Sequence, residues 1–493
     1  MKAPAGICPV RDPMAEQIRD NRNKSESDHV QMKKPDLSHT GVVFRLAGPT
    51  MLEQLMHTAV PYIDTAMVGA LGTAATAAVG STTTVNWLIG STIGSMGVGF
   101  LAYISQARGA GEYDRARRAS AQAVLMMVVI GLLFTVLPLA LAGVIPTWMQ
   151  VEPSVRPLAS RYFFIIYVPT LFRAASMLAG TLLRAAGDTK SPMAAGILMN
   201  VLNILLNALL IFPTRTVTLF GADLRLWGAG MGVIGAAAAT AVSFAAGGVV
   251  LMIVLWRHKE ISPRGCSLKP DRAVLLPCLR VAVPAVLQRF ATSLGYVFFA
   301  SMINSLGEIS TAAHTVANTV ESAFYVPGYG MQTAAATLTG ECIGAKDRDR
   351  LRSITTAILV LETGLMVLSG ALLFCFAPVM AGIFSRDARV IGLSATVLRM
   401  VALSEPFYGV YIVLEGCLQG AGNTKAPFLF NVMGMWCVRI LGTFILVSCL
   451  HYGLTAAWGA MICHNLLLCC IFVLYFRSGS WTELTRKRRP TRR

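Results

Sequence analysis

The sequence predicts an all-α polytopic membrane protein, with twelve transmembrane helices in two pseudo-symmetric six-helix lobes. Three observations carry this reading: an excess of apolar over charged residues, twelve apolar stretches of spanning length, and an internal repeat. Of 493 residues, 55% are apolar and 14% charged, with a mean hydropathy of +0.60. Soluble chains run about 45–50% apolar and about 25% charged. The missing charge is the sharper sign, because helices facing lipid cannot carry it.

The apolar stretches lie at 43–70, 84–106, 120–145, 157–182, 192–213, 232–256, 273–305, 314–340, 354–378, 390–418, 427–449 and 454–476. Each can cross a hydrocarbon core of about 30 Å, which takes roughly 20 helical residues. Basic residues cluster after every second stretch. Arg108, Arg115, Arg117 and Arg118 follow the second, and Arg184 and Lys190 the fourth. Arg257, Lys259, Arg264, Lys269 and Arg272 follow the sixth, and Lys346, Arg348, Arg350 and Arg352 the eighth. Lys425 follows the tenth, and Arg486 to Arg489 the twelfth. The positive-inside rule then puts both termini and the even-numbered loops in the cytoplasm of a multi-pass plasma (inner) membrane protein. The net charge of +17 is read as topology and lipid-headgroup charge, with membrane lipids rather than nucleic acid as its partner.

The expected organisation is a polar cytoplasmic arm at 1–40, an N-lobe at 41–256, a linker at 257–272, a C-lobe at 273–476 and a basic tail at 477–493. The arm has no apolar signal-peptide core. Eleven cysteines are scattered without metal spacing, which fits packing residues better than a disulfide framework.

The two halves repeat. Residues 45–192 shifted by 235 positions fall on 280–427 without a gap, with 31 of 148 positions identical. Arg45, Ala47 and Pro49 meet Arg280, Ala282 and Pro284, while Gly187, Thr189, Lys190 and Pro192 meet Gly422, Thr424, Lys425 and Pro427. Shared membrane composition would not align glycines, prolines and loop charges together. Six spans per unit make the repeats parallel, and transporters built this way bind ligands near the midplane.

Polar residues inside the spans are the functional candidates. Asp64 lies in the first span, about 27 Å from Leu46 at 1.5 Å per residue. Asn200, Asn203 and Asn207 recur at spacings that share one face of the fifth span, and Thr240 enters the sixth at similar depth. A carboxylate, two amides and a hydroxyl, Asp64, Asn203, Asn207 and Thr240, can hold Na⁺ or exchange a proton. A structural polar clamp, or a pair between Asp64 and Arg173, is the alternative. No other metal site and no cofactor is expected. The second half has no acid at the position of Asp64, which maps to Phe299; it has Glu321, Glu405 and Glu415 instead. Glu415 is read as structural. Glu321 and Glu405, with Tyr325, Tyr408 and Tyr411, are the candidate contacts for a small cationic or amphiphilic substrate.

Several segments resemble the multidrug and toxic compound extrusion (MATE) family. They are DTAMVGALG at 64–72, LRAAGDTKSP at 183–192, NILLNALLIF at 203–212, GVIGAAAAT at 232–240, PGYGMQTAAATLTGECIGA at 327–345 and LQGAGNTKAP at 418–427. The resemblance covers about residues 40–476. It implies a V-shaped pair of lobes, in a monomer, that exports cationic or amphiphilic drugs in exchange for H⁺ or Na⁺. By the family pattern, Asp64, Asn203, Asn207 and Thr240 match the N-lobe cation site. Some branches carry aspartate where this chain has Asn207, and acids used elsewhere in the family fall at Thr292 and Tyr408.

Competing readings are a flippase of lipid-linked precursors, a membrane-embedded enzyme and a channel. A flippase of that kind often carries extra spans and a strongly basic cavity, and neither is evident. A prenyl- or phosphotransferase needs clustered acids in a cytoplasmic loop, and none has that spacing, so no enzymatic activity is expected.

Overall fold

The computed structural model describes residues 39–149, 151–219 and 222–481. The expected 1–40 arm and 477–493 tail lie mostly outside these. The first half is built from α1 (Thr40–Gly69), α2 (Thr73–Gly109), α3 (Tyr113–Leu141), the short α4 (Ile145–Trp148), α5 (Arg156–Tyr167), α6 (Thr170–Ala185), α7 (Lys190–Leu210) and α8 (Val233–Arg257). The second is built from α9 (Arg272–Asn304), α10 (Glu308–Gly344), α11 (Arg348–Phe384), α12 (Ala388–Ala402), α13 (Glu405–Gly420), α14 (Lys425–Met433), α15 (Leu441–Thr443) and α16 (Leu454–Arg477).

Among the described residues, eight helices are long and apolar enough to cross a membrane, and two broken pairs bring the number to ten. The pairs are α5 with α6, bent by 46°, and α12 with α13, bent by 53°. They form the fourth and tenth spans. The remaining two, α1 and α10, are 30 and 37 residues long but carry Glu53 and Asp64, and Glu321 and Glu341, within their length. These two less apolar helices pack against each other between the lobes, so neither has to be apolar all round. Lipid-facing apolar side chains account for the rest: Leu133, Val136, Val379 and Ile383 are all more than half exposed, as suits an outer face solvated by acyl chains.

The eleventh span is irregular. After α14 it runs as π-helix over Gly434–Ile440 and again over Phe444–Cys449, on either side of α15. Between the fifth and sixth spans the chain forms an antiparallel hairpin, β1 (Pro213–Leu219) and β2 (Ala222–Ala229). The alternating Thr-Arg-Thr-Val-Thr-Leu run is the strand signal, passed over because the surrounding hydropathy dominates.

The 235-residue repeat is also conformational. Backbone φ is positive at Gly72 and Gly307, at Gly111 and Lys346, and at Gly187 and Gly422, three pairs at that offset. The turn hydrogen bonds repeat as well: Glu112 N–H donates to Ala107 O as Asp347 N–H does to Cys342 O, and Asp188 to Leu183 as Asn423 to Leu418. Such bonds satisfy the carbonyls that a helix end leaves open. The shared glycines and loop residues therefore encode one turn geometry used twice.

The most extensive helix contacts between the lobes, among the described residues, are α1 with α10, α2 with α9, and α2 with α10. Under the repeat α1 exchanges with α9 and α2 with α10, so the first two contacts are equivalent and the third lies on the pseudo-twofold axis. The axis contact closes at the ends that carry the basic loops. There Gly109 lies against the Glu341 backbone and Gly344 against the Gln106 backbone, with no room for a Cβ at either. Gln106 Nε2 donates to Gly420 O at 2.9 Å. Arg108 bridges Glu260 of the linker at 2.8 Å and Glu341 of α10 at 3.5 Å. The linker itself is tied to α3, where Gln122 donates to Lys269 O at 2.8 Å and accepts from Asp271 N at 3.0 Å. Gly109→Val is therefore expected to disfavour this closure by about 1–3 kcal/mol, the usual cost of overpacking. That is roughly a 5- to 150-fold shift between closed and open forms, readable as altered distance distributions between spin labels on the two lobes.

Candidate ion-coupling site

The first half places four of the expected residues in one buried ring. Asp64 lies near the end of α1 away from the basic loops, Asn203 and Asn207 on α7 one turn apart, and Thr240 on α8. Asn207 Nδ2 donates to Asp64 Oδ1 at 2.5 Å and to Asn203 Oδ1 at 3.1 Å. Asn203 Nδ2 donates to Thr240 Oγ1 at 3.1 Å, and Thr240 Oγ1 donates to Asp64 Oδ2 at 3.1 Å. The ring is closed and both carboxylate oxygens are acceptors. Relative exposures are 9% for Asp64, 2% for Asn203, 0% for Asn207 and 7% for Thr240.

Among the described residues, the partners of the Asp64 carboxylate are neutral donors. No ion pair joins it to Arg173 among the described residues; that guanidinium stands over the Phe244 ring at 5.2 Å. Asn200, expected on the same face, turns its amide to Gly196 O at 2.8 Å and stays outside the ring. Asn207 Oδ1 is buried and has no hydrogen-bond partner among the described residues. Na⁺ bound here would displace N–H donors and take oxygen ligands from the carboxylate, the amides and the hydroxyl. A proton would need only one carboxylate oxygen. Both chemistries fit the side chains present.

In the second half, the three tyrosines gather. Tyr325 and Tyr408 have ring centroids 5.4 Å apart, and Tyr408 and Tyr411 5.1 Å. Tyr329, not singled out from the sequence, extends the cluster through a hydroxyl contact of 3.1 Å with Tyr408. Glu321 and Glu405 are buried, at 7% and 2% exposure, so their carboxylates do not front an open surface in this conformation. At the repeat position of Asp64, Phe299 lies under the guanidinium of Arg439 at 4.3 Å, with Tyr296 on another side at 4.7 Å. Arg439 sits in the π-helical stretch of the eleventh span, a backbone form frequent at functional sites. Where one lobe buries an acid, the other buries a cation held by aromatic faces. Glu415, read as structural, accepts from Gln288 at 2.9 Å and from Gln419 at 3.0 Å, which fits that reading.

One basic residue read as a loop charge is an intramembrane partner. Arg184 reaches back from α6 to Glu53 of α1 at 2.7 Å, with side-chain exposures of 13% and 6%. Its long stem lets a residue near the helix end place its charge inside the lobe. Glu53 had a signal of its own, as a second acid in the spanning segment that carries Asp64. Glu362 of α11, the lone acid of the stretch at 354–378, was likewise passed over; it is fully buried.

Relatives agree with the fold. A probable multidrug resistance protein NorM from Thermotoga maritima is 27% identical over 449 residues, covering 90% of this chain and 94% of the relative. One from Bradyrhizobium diazoefficiens is 28% identical over 453 residues, covering 88% and 92%. Among solved structures, a MOP superfamily transporter from Pyrococcus furiosus superposes with a TM-score of 0.82 at 22% identity, covering 93% of this chain and 100% of that one. The family model described as MatE matches residues 49–209 and 284–445, each covering most of one repeat. The chain, a multi-pass membrane protein of two six-helix lobes, belongs to the MatE family.

Proposed function

We propose that this protein is a secondary active antiporter of the plasma membrane, exporting cationic or amphiphilic drugs in exchange for H⁺ or Na⁺ by alternating access. The observation that carries this reading is the closed ring on Asp64, an intramembrane acid held by three neutral side chains with no ion pair to it among the described residues. An acid of this kind needs a mobile positive charge, which a coupling ion supplies. The multidrug resistance names of the relatives support drugs as the cargo, and the Tyr325–Tyr408–Tyr411 cluster offers ring faces to a cationic one.

The basic-loop ends form the cytoplasmic side, with both termini there. The closed contact between Gly109 and Glu341 then seals the cytoplasmic end. Exchange of the ion at Asp64 biases the packing of α1 against α7 and α8, and with it the lobe interface through α1 and α10. Lobes 41–256 and 273–476 are the moving units.

The test is uptake of a cationic dye into inverted vesicles under an imposed pH gradient or an imposed Na⁺ gradient. Uphill movement driven by one gradient and abolished by its collapse supports antiport, while purely downhill flux sinks it. Thr240→Val, nearly isosteric, removes one hydrogen bond to the carboxylate. Bonds to charged groups are worth about 1.5–3 kcal/mol, so the driving ion is expected to bind roughly ten- to a hundredfold more weakly, seen as a raised half-saturating ion concentration.

A further inference from the structure

We propose that Glu362 on α11 is the centre of a second site, one that binds a proton, in the C-lobe, shared with Glu405 at the break of the tenth span. Glu362 is 0% exposed, and neither of its carboxyl oxygens has a hydrogen-bond partner among the described residues. Glu405 is 2% exposed, and its Oε2 is likewise without a partner. Glu362 fits into a notch that two other helices leave for it. A Cβ on Gly328 of α10 would lie 2.8 Å from Glu362 Oε1, and one on Gly409 of α13 3.1 Å from it. Met366 and Ile412 line the same notch.

An ionised carboxylate in such a place, with no donor and no cation, costs several kcal/mol. Glu405 lies within electrostatic reach of two further acids, Glu321 of α10 and Glu362, while the cation Arg439 bears on Glu321. The other titratable groups on α10 and α13 include Tyr325, Tyr329, Tyr408, Tyr411 and the hydrogen-bonded Glu415, and α12, also packed on α11, brings Arg399, whose Nε donates to Phe374 O, about three turns from Glu362. From α1 the groups against α11 are apolar: Phe44, Ala47, Gly48 and Met51 meet Leu361 and Leu365. The acids therefore cannot all be charged together. A metal ion does not answer the need, because it takes several oxygen ligands and no group of three metal-binding side chains occurs among the described residues. A proton does.

The three acids are not part of the repeated scaffold, since Met127, Asn86 and Thr170 stand at the corresponding positions of the first half. Glu405 is the first residue after the 53° bend, and Gly370 of α11 brings the two helices close beside it. Loss of the proton, by transfer from a carboxyl O–H to water, leaves a carboxylate that the apolar notch cannot solvate. The bend is the element placed to respond, by opening the notch. A role for that response in transport rests on the antiport reading; proton binding itself does not.

The experiment is infrared spectroscopy of the carboxylic acid C=O band, on the full chain purified into lipid nanodiscs at neutral pH. The wild type is expected to show a protonated carboxyl band that survives in Asp64→Asn and is lost in Glu362→Gln. Glu405→Gln, which leaves Glu362 in place, is expected to move the pH at which the band disappears. An unchanged band in folded Glu362→Gln overturns the site, and an unmoved titration in Glu405→Gln overturns the sharing. If Glu362→Gln does not fold, the Glu405→Gln titration decides. Gradient-driven dye uptake measured on the same variants separates the two proposals: a Glu362-dependent band without uphill transport would sink only the antiport reading.

Discussion

Replacing Asp64 with asparagine is expected to abolish ion-driven drug efflux while leaving the protein folded. The substitution keeps the side-chain volume and removes the charge that Asn207 and Thr240 surround. Both donors then face an amide that presents a single acceptor oxygen, so at least one contact is lost and the site has nothing to hold an ion with. Because an ion can bias two packings only by its differential affinity for them, loss of the ion's ligand removes the drive rather than slowing it. The measurement is dye uptake in vesicles under each imposed gradient, with residual transport expected at the level of empty vesicles. Unchanged uptake and unchanged ion dependence would refute the assignment. A clamp that merely holds α1 to α7 and α8 predicts something else: lower thermal stability, with ion dependence retained in whatever protein survives.

The second large effect is expected at Arg184. Its pair with Glu53 is 2.7 Å long and nearly dry. Arg184→Met would leave Glu53 buried with His57, whose Nε2 is 3.9 Å away, as its remaining ion-pair partner among the described residues. Breaking a buried pair by removing one partner costs about 3–5 kcal/mol, whereas replacing both partners by apolar groups is often neutral. Arg184→Met alone should therefore unfold at a much lower temperature in detergent, and the double variant Glu53→Leu with Arg184→Met should recover most of the loss. A single variant as stable as the wild type would show the pair to be incidental.

Much of this molecule could be read from residues alone, because a bilayer leaves few options for the backbone. The spans, their two-lobe order and the ring of Asp64, Asn203, Asn207 and Thr240 all follow from where polar side chains can sit in apolar helices. What a hydropathy window does not register is how those helices deviate. The breaks before Thr170 and Glu405 fall at Pro169 and Pro406, a proline signal that was there to be read, whereas the π-helical turns around Arg439 carry no such marker. Arg184 misled for a related reason: a chain position at the edge of a span fixes the Cα, not the charge at the end of a long stem. Glu362 was visible as a lone acid in a greasy segment; the glycine notch that gives it meaning comes from two helices far apart in sequence.

The glycine contact on the pseudo-twofold axis has a mechanical consequence. Each of α2 and α10 has 37 residues, about 55 Å at 1.5 Å per residue, and they meet tightly at one end. A pair of rods touching at their tips behaves as long arms on a short bearing. Turning one by about 10° around that bearing carries its far tip about 10 Å while the bearing residues slide hardly at all. Small changes in how two glycines seat would thus be magnified into a wide mouth, which places the economy of the motion in the bearing and its amplitude in the length of the arms.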